Sequence, residues 1–230
     1  MSPGERETGV GPTSDVQTSD VETPTGPARL HHHRARAPEH GTVVLGHGAG
    51  GGIGAVDLVA LAEALPAAGW GVVLVEMPWR VAGKRMAPPP RRLDEGWLPV
   101  LEAVTASSSG RLVVGGRSAG ARVACRTAAQ VGADAVLSLS FPLVPPGKGP
   151  EKSRIGELAT PGGHGLPVLV VQGATDPFGS PGAVQTAVTE IGATGVTVAA
   201  VPGAHSFRGA QDALVEATLA FLGEVGRGGG

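Results

Sequence analysis

The sequence has little of several features on which other classes of protein depend. Among its 230 residues there is one cysteine, Cys125, there are seven aromatic residues (three Trp and four Phe), and tyrosine is absent. A single cysteine cannot form an internal disulfide, which excludes a disulfide-stabilised scaffold and fits a reducing compartment. Few aromatic rings leave few groups on which bases could stack, and a formal net charge of −2 produces no field that attracts nucleic acid or a membrane surface. We therefore expect neither partner.

Long apolar segments are also absent from the sequence. No run approaches the ~18 apolar residues that a membrane-spanning helix needs. The first residues, MSPGERETGVGPTSD, are charged and rich in turn-forming residues, without the apolar stretch of a signal peptide. These features predict a soluble, cytoplasmic protein.

Glycine and proline, in contrast, are abundant. The chain holds 38 glycines and 20 prolines, about a quarter of its residues, a proportion at which disorder has to be considered. A hydrophobic fraction of 41% and the low net charge favour a packed core instead. The length suits one domain, which we expect over residues 15–225, between a disordered segment 1–14 and a disordered tail 226–230. Whether residues 15–36 form an edge hairpin is left open.

From residue 41 onwards, short apolar segments alternate with segments of helical periodicity. The segments that predict strands are 42–45, 72–75, 112–114, 135–139, 167–171 and 196–201, and those that predict helices are 56–65, 98–104, 119–129, 182–191 and 211–225. This alternation predicts an α/β fold: a mainly parallel sheet of about six to eight strands, with helices on both faces and no large cap. Ligand sites of such sheets lie in the loops beyond the carboxyl ends of the strands.

One of these loops contains a candidate nucleophile, Ser118. The sequence Gly116-Arg117-Ser118-Ala119-Gly120 matches G-x-S-x-G between a predicted strand and a predicted helix. In so glycine-rich a chain the bare pattern has little weight, and an ordinary strand-to-helix turn is the alternative. The setting has more weight, because the sharp reversal projects the serine beyond the sheet edge.

Two further residues follow in the order that a serine nucleophile needs. A serine hydroxyl requires a base, and the base requires an orienting acid. Asp176 comes after the strand that ends near residue 171, and His205 comes after the next strand. A turn residue is the alternative for Asp176, and a loop histidine for His205. His164 precedes a strand, which indicates an exposed turn residue.

The glycine-rich sequence Gly46-His47-Gly48-Ala49-Gly50-Gly51-Gly52 follows the first predicted buried strand. It lacks the Gly-Lys-Ser/Thr ending of a nucleotide-binding P-loop, so an oxyanion hole is the better interpretation. We expect the donors to be the backbone N–H groups of Ala119 and Ala49, with Gly48 or Gly50 as alternatives to Ala49. His47 is expected to be a structural hydrogen-bonding residue.

Several residues near these loops are candidate substrate contacts. Trp79 and Arg80 follow a strand and suit an anionic or carboxylate-bearing substrate, although the basic residues beyond them fit a solvated, proline-rich loop. Phe141 and Phe178 could form an apolar wall. The consecutive histidines 31–33 are not expected to bind a metal, because they would point to alternating faces of a strand and cannot all bind one ion.

The four sequence blocks described above resemble the α/β-hydrolase superfamily, in particular the dienelactone-hydrolase-like branch that includes testis-expressed protein 30. The blocks are G-H-G-A-G-G at 46–51, G-G-R-S-A-G at 115–120, Q-G-A-T-D-P-F-G at 172–179 and H-S-F at 205–207. The resemblance covers nearly all of residues 15–225 and implies Ser118 as nucleophile, His205 as base, Asp176 as its orienting acid, and no metal or organic cofactor.

The chain departs from this branch at two points. Relatives often have an acid where this chain has Ala204, and dienelactone hydrolases proper use a cysteine nucleophile where this chain has Ser118. Cys125 lies in the following helix and is expected to be packed in the core. The leading hypothesis is a serine hydrolase that cleaves an ester or related acyl bond of a small-molecule substrate. The alternative is a non-catalytic α/β-hydrolase-fold interaction protein. The oligomeric state is not determined by the sequence.

Overall fold

A computed structural model describes residues 16–36 and 39–227 of the chain. The predicted disordered segment 1–14 and the last three residues of the predicted tail lie outside the described residues. Eight strands are present in the described part: β1 (Val16–Val21), β2 (Ala28–His33), β3 (Gly41–Gly46), β4 (Trp70–Glu76), β5 (Arg111–Arg117), β6 (Ala135–Leu139), β7 (Val168–Gly173) and β8 (Val196–Val201). Its α-helices are α1 (Val56–Ala64), α2 (Pro78–Val81), α3 (Pro90–Ser107), α4 (Ala119–Thr127), α5 (Ile155–Gly163), α6 (Pro181–Glu190) and α7 (Gln211–Arg227). Short 3₁₀ helices cover residues 65–68, 128–131 and 150–152.

The strands form one sheet in the order β1-β2-β4-β3-β5-β6-β7-β8. β2 is antiparallel to both of its neighbours, and every other neighbouring pair is parallel. The register sets Gly46 opposite Gly116, and Gly173 opposite Val201, so these strands end at the same edge of the sheet. The predicted mainly parallel sheet in a single domain is confirmed.

The core consists of two apolar layers, one on each face of the sheet. Along β3 the side chains alternate, with Val44 in one layer and Leu45 in the other. α3, α4, α5 and α6 cover the face of Val44, whereas α1 and α7 cover the face of Leu45. Helices therefore lie on both faces, as predicted, and the central strands β3 to β7 are largely apolar because neither of their faces meets water.

Some elements differ from the sequence-based expectation. Residues 16–33 do form a hairpin, whose β2 strand extends the sheet antiparallel to β4. α5 was not predicted, because its sequence IGELATPGG ends in helix-disfavouring residues and has no clear apolar period. α7 continues to Arg227, two residues into the predicted disordered tail. No helix among the described residues is both long enough and apolar enough to cross a membrane.

Candidate active site

Ser118 lies in the sharp turn between β5 and α4. Its backbone has φ 53° and ψ −104°, in the positive-φ region that L-residues rarely adopt. The turn packs tightly against the end of β3: a Cβ at Gly116 would lie 2.3 Å from the Gly46 oxygen, and one at Gly120 would lie 2.2 Å from it. Both glycines are therefore required by the close approach of β3, which explains the G-x-S-x-G pattern at this turn.

Asp176 and His205, from the loops after β7 and β8, are hydrogen bonded to each other. His205 Nδ1 donates to Asp176 Oδ2 at 2.8 Å, which leaves Nε2 as the basic nitrogen of the ring. Asp176 Oδ2 also accepts from Gln172 Nε2 at 3.0 Å, and Oδ1 accepts from the Phe178 N–H at 2.9 Å. The carboxylate is fully buried, so these donors replace water and hold it in one orientation.

The backbone carbonyl of His205 accepts hydrogen bonds from residues at the ends of two neighbouring strands, β5 and β6. It accepts a hydrogen bond from Arg117 Nη2 at 2.8 Å and another from Ser140 Oγ at 2.9 Å. The Phe178 ring lies against the His205 imidazole, with 4.5 Å between ring centroids. Among the described residues, no hydrogen bond joins Ser118 Oγ to His205. In substrate-free enzymes such bonds are often long and shorten only when the substrate binds.

The glycine-rich loop after β3 lies beside the serine. A Cβ at Gly48 would be 3.6 Å from Ser118 Cβ. His47, which is buried beneath this loop, accepts the Met77 N–H at Nε2 and donates from Nδ1 to the Gly48 oxygen. Burial lowers the pKa of His47, so the ring is a neutral support of the loop.

The two residues predicted to supply the oxyanion donors lie in different segments, Ala119 at the start of α4 and Ala49 in the glycine-rich loop. Ala119 is the first residue of α4, and its N–H has no acceptor within the helix, as at any helix start. Ala49 is exposed in the glycine-rich loop, next to Gly48. Both N–H groups thus belong to segments that border Ser118. No group of three or more metal-ligating side chains occurs within 16–36 and 39–227.

The four predicted substrate contacts differ in their exposure. Phe141 is fully buried, and Trp79 is 6% exposed and packs edge-on against the His47 ring, so both side chains lie below the surface. Arg80 and Phe178 are half-buried. The Arg80 guanidinium lies near the glycine-rich loop, 3.9 Å from where a Cβ would be at Gly52.

Four polar residues at this edge had no role in the sequence-based site: Gln172, Ser140, Arg117 and Asp57. Gln172 is fully buried and, besides its bond to Asp176, donates to the Gly179 oxygen and accepts the Phe141 N–H. For Gln172 and Arg117 the sequence contained one signal, a polar residue near the end of a largely apolar strand, as in VLVVQ and RLVVGGR. What these side chains contact depends on other loops, which local sequence does not show.

The comparisons with known proteins agree with this architecture. A sequence profile described as an alpha/beta hydrolase domain matches residues 39–218. A search of curated protein sequences found no significant match.

Solved structures with the same fold include three bacterial proteins of low sequence identity. An alpha-beta serine hydrolase homologue from Coxiella burnetii is 20% identical, with a TM-score of 0.76 over 93% of this chain and 100% of that one. A serine hydrolase without a lid from Xanthomonas campestris is 20% identical, with a TM-score of 0.69 over 93% and 98%. Est1E from Butyrivibrio proteoclasticus with bound ferulic acid is 16% identical, with a TM-score of 0.74 over 90% and 98%.

Proposed function

The chain belongs to the alpha/beta hydrolase domain family, and from this premise we propose that it is a serine hydrolase that cleaves a carboxylic ester or related acyl bond through an acyl-enzyme. The observation that supports this best is the hydrogen bond from His205 to the buried Asp176, at the sheet edge where Ser118 is presented in a positive-φ turn. A non-catalytic protein with the α/β-hydrolase fold would not need both features together.

In the proposed mechanism Ser118 is the nucleophile and His205 is the general base. His205 Nε2 takes the proton of the Ser118 hydroxyl as the oxygen attacks the substrate carbonyl carbon, while Asp176 stabilises the imidazolium that forms. The same proton then passes to the alcohol or thiol as its bond to the carbonyl carbon breaks, and collapse of the tetrahedral intermediate leaves the acyl-enzyme. A water molecule, deprotonated by His205, then attacks the acyl carbon. The bond from that carbon to Ser118 Oγ breaks, His205 returns the proton to Oγ, and the acid is released.

The negative oxygen of each tetrahedral intermediate is proposed to accept hydrogen bonds from the N–H groups of Ala119 and Ala49. One such donor typically contributes ~10²–10³ in rate, because it is already oriented before charge develops. His47 supports this role indirectly: its hydrogen bond orients the Gly48 carbonyl and so fixes the loop that contains Ala49.

We propose a small acyl substrate that lies against Phe178, with Arg80 nearby. Within the described residues Arg80 forms no ion pair with a carboxylate, and its Nε is buried without a partner, so the guanidinium could bind an anionic group of the substrate. Trp79 and Phe141 would shape this region from below. The description of one structural neighbour as lidless, and the ferulic acid bound to another, agree with an open site for small acids or esters. A screen of neutral and carboxylated aryl esters decides this point.

Within the family, we propose that the chain belongs to the dienelactone-hydrolase-like branch that includes testis-expressed protein 30. The support is the set of four motif blocks, above all G-G-R-S-A-G at 115–120. The proposed serine nucleophile argues against dienelactone hydrolysis itself as the activity of this chain.

The first prediction is that a fluorophosphonate probe labels the protein at Ser118. Ser118→Ala should abolish labelling, and His205→Ala should slow it by ~10²–10⁴, the usual contribution of a general base. Mass spectrometry of the labelled peptide is the measurement, and Ser108→Ala, at an exposed serine after α3, is the matched control. If the folded protein does not react, or if the label is found on another residue, the non-catalytic interaction protein becomes the better hypothesis.

A further inference from the structure

Asp57 is a buried carboxylate that the proposed mechanism does not use. It lies in the first turn of α1 and has no exposed surface. Its Oδ2 is 3.0 Å from Nε of Arg117, whose side chain is only 16% exposed. Burying two charges costs several kcal/mol unless their contacts compensate for the lost water, so this pair requires an explanation.

The Arg117 guanidinium lies against three segments, two of which contain groups of the proposed mechanism. Arg117 directly precedes Ser118, and its Nη2 donates to the His205 carbonyl oxygen at 2.8 Å. Its Nη1 lies 3.3 Å from where a Cβ would be at Gly48, which places it against the glycine-rich loop. The third contact is Asp57, on the helix that follows that loop.

We infer that Arg117, held by Asp57, is a positioning residue that sets the distances between Ser118, the oxyanion donors and His205. The inference rests on the proposed function. Its physical basis is that a misplacement of about 1 Å at a reacting group can cost ~10²-fold in rate. A guanidinium can make these contacts because its five N–H donors form a rigid planar fork, whereas a lysine presents one compact charge.

The role of Asp57 is to orient this fork and to neutralise it. Burial raises the pKa of Asp57, and the nearby Arg117 acts in the opposite direction. Ser140 Oγ also donates to the His205 carbonyl oxygen. When Arg117 is removed, the loop that contains His205 therefore keeps one of the two hydrogen bonds to this oxygen. We therefore expect a displaced site in a folded protein, with a loss in kcat and little change in KM.

The test measures hydrolysis of p-nitrophenyl acetate by wild type, Arg117→Met, Arg117→Lys and Asp57→Asn. We expect kcat to fall about 10²-fold in Arg117→Met and about tenfold in Asp57→Asn, with KM within threefold of wild type. Arg117→Lys should not restore kcat, because a point charge cannot replace the fork. Arg122→Met, at an equally buried arginine that pairs with Glu157 on α5, is the control and should keep kcat within threefold.

A second readout separates positioning from a general loss of structure. Methylguanidinium added to Arg117→Ala should restore part of kcat, as expected when only the missing group is replaced. If Arg117→Met does not fold, Asp57→Asn, which is nearly the same size, decides the inference. It is overturned if kcat stays within threefold in Asp57→Asn and in every Arg117 variant that folds, or if only KM changes. If the wild type itself neither hydrolyses the ester nor reacts with the phosphonate, the proposed function fails, and this inference fails with it.

Discussion

The arginines on the two sides of Ser118 are paired with carboxylates in different ways. Arg117, before the serine, lies 3.0 Å from Asp57, but neither its Nε nor the Asp57 oxygens make a well-directed hydrogen bond. Arg122, after the serine, donates from Nε and Nη2 to the two oxygens of Glu157 at 2.6 and 2.7 Å. One turn later Arg126 donates to Asp94 and lies 3.2 Å from Glu157.

The difference indicates what each set of charges does. The pairs after the serine join α4 to α3 and α5 through bidentate contacts, which is a geometry that stabilises helix packing. The pair before the serine is less well hydrogen bonded within itself, and Arg117 directs Nη2 to the His205 carbonyl instead. Stability is therefore expected to depend on the α4 side, and the geometry of the site on the β5 side.

The largest effect is expected at Gly46, because the turn packs against its carbonyl oxygen on both sides of Ser118. Gly120→Ala would place a Cβ 2.2 Å from the Gly46 oxygen, so β3 or the turn has to move. We expect the free energy of unfolding to fall by about 3 kcal/mol or more, together with loss of phosphonate labelling. Urea unfolding is the measurement. Gly156→Ala, in α5, is the control, because nothing lies within 4 Å of its added Cβ. Equal midpoints for Gly120→Ala and wild type would contradict this account of the turn.

The next effect should separate stability from activity. Glu157→Gln leaves Arg122 and Arg126, each 17% exposed, without a shared carboxylate. The free energy of unfolding should fall by about 2 kcal/mol, because hydrogen bonds to charged groups are lost, while kcat stays within about twofold. As a control, Glu95→Gln removes pairs to Arg91 and Arg92, which are 91% and 53% exposed, and should cost less than about 0.5 kcal/mol. A tenfold loss of kcat in Glu157→Gln would remove the contrast between the two sides.

The smallest effect concerns Cys125, a neutral group on α4. Burial raises the pKa of Cys125 to about 12, from an ordinary value near 9. Between these values the unfolded thiol ionises and the folded one stays protonated, so stability falls as pH rises, by up to about 1.4 kcal/mol per pH unit. The chain has no tyrosine to titrate there. From pH 8.5 to 10 the free energy of unfolding should fall by about 1 kcal/mol in total. Unfolding midpoints across this range measure the slope, which Cys125→Ser should reduce. An unchanged slope, or rapid reaction of the native thiol at pH 8, would show that Cys125 is not buried as described.

Much of the fold could be predicted from the sequence, because a parallel sheet that is covered on both faces needs strands that are apolar throughout. Segments such as 135–139 and 196–201 have the bounds observed in the structure. The candidate site residues Ser118, Asp176 and His205 could be chosen for the same reason, since each follows such a segment. α5 could not be predicted, because Pro161 and its glycines conceal the helical period.

The supporting contacts of the site could not be predicted in the same way. Gln172 bonds to a residue four positions away, but Arg117 and Ser140 both donate to a carbonyl at residue 205, across several strands. The local sequence places Arg117 at a strand end and Arg122 in a helix, but it does not show that the first contacts the His205 loop and the second contacts α5. Such partners are decided by the order of strands in the sheet.

By itself, then, the sequence determined the alternation of strands and helices, the sharp turn at Ser118 and the order in which the candidate residues occur. These depend on side-chain polarity and backbone freedom within a few residues of the chain. The tertiary structure alone decided that Asp57 lies beneath Arg117, that two donors converge on the His205 carbonyl and that Phe141 and Trp79 are buried. These contacts join segments that are distant in sequence, and only the packing of the sheet edges brings their atoms within hydrogen-bond distance.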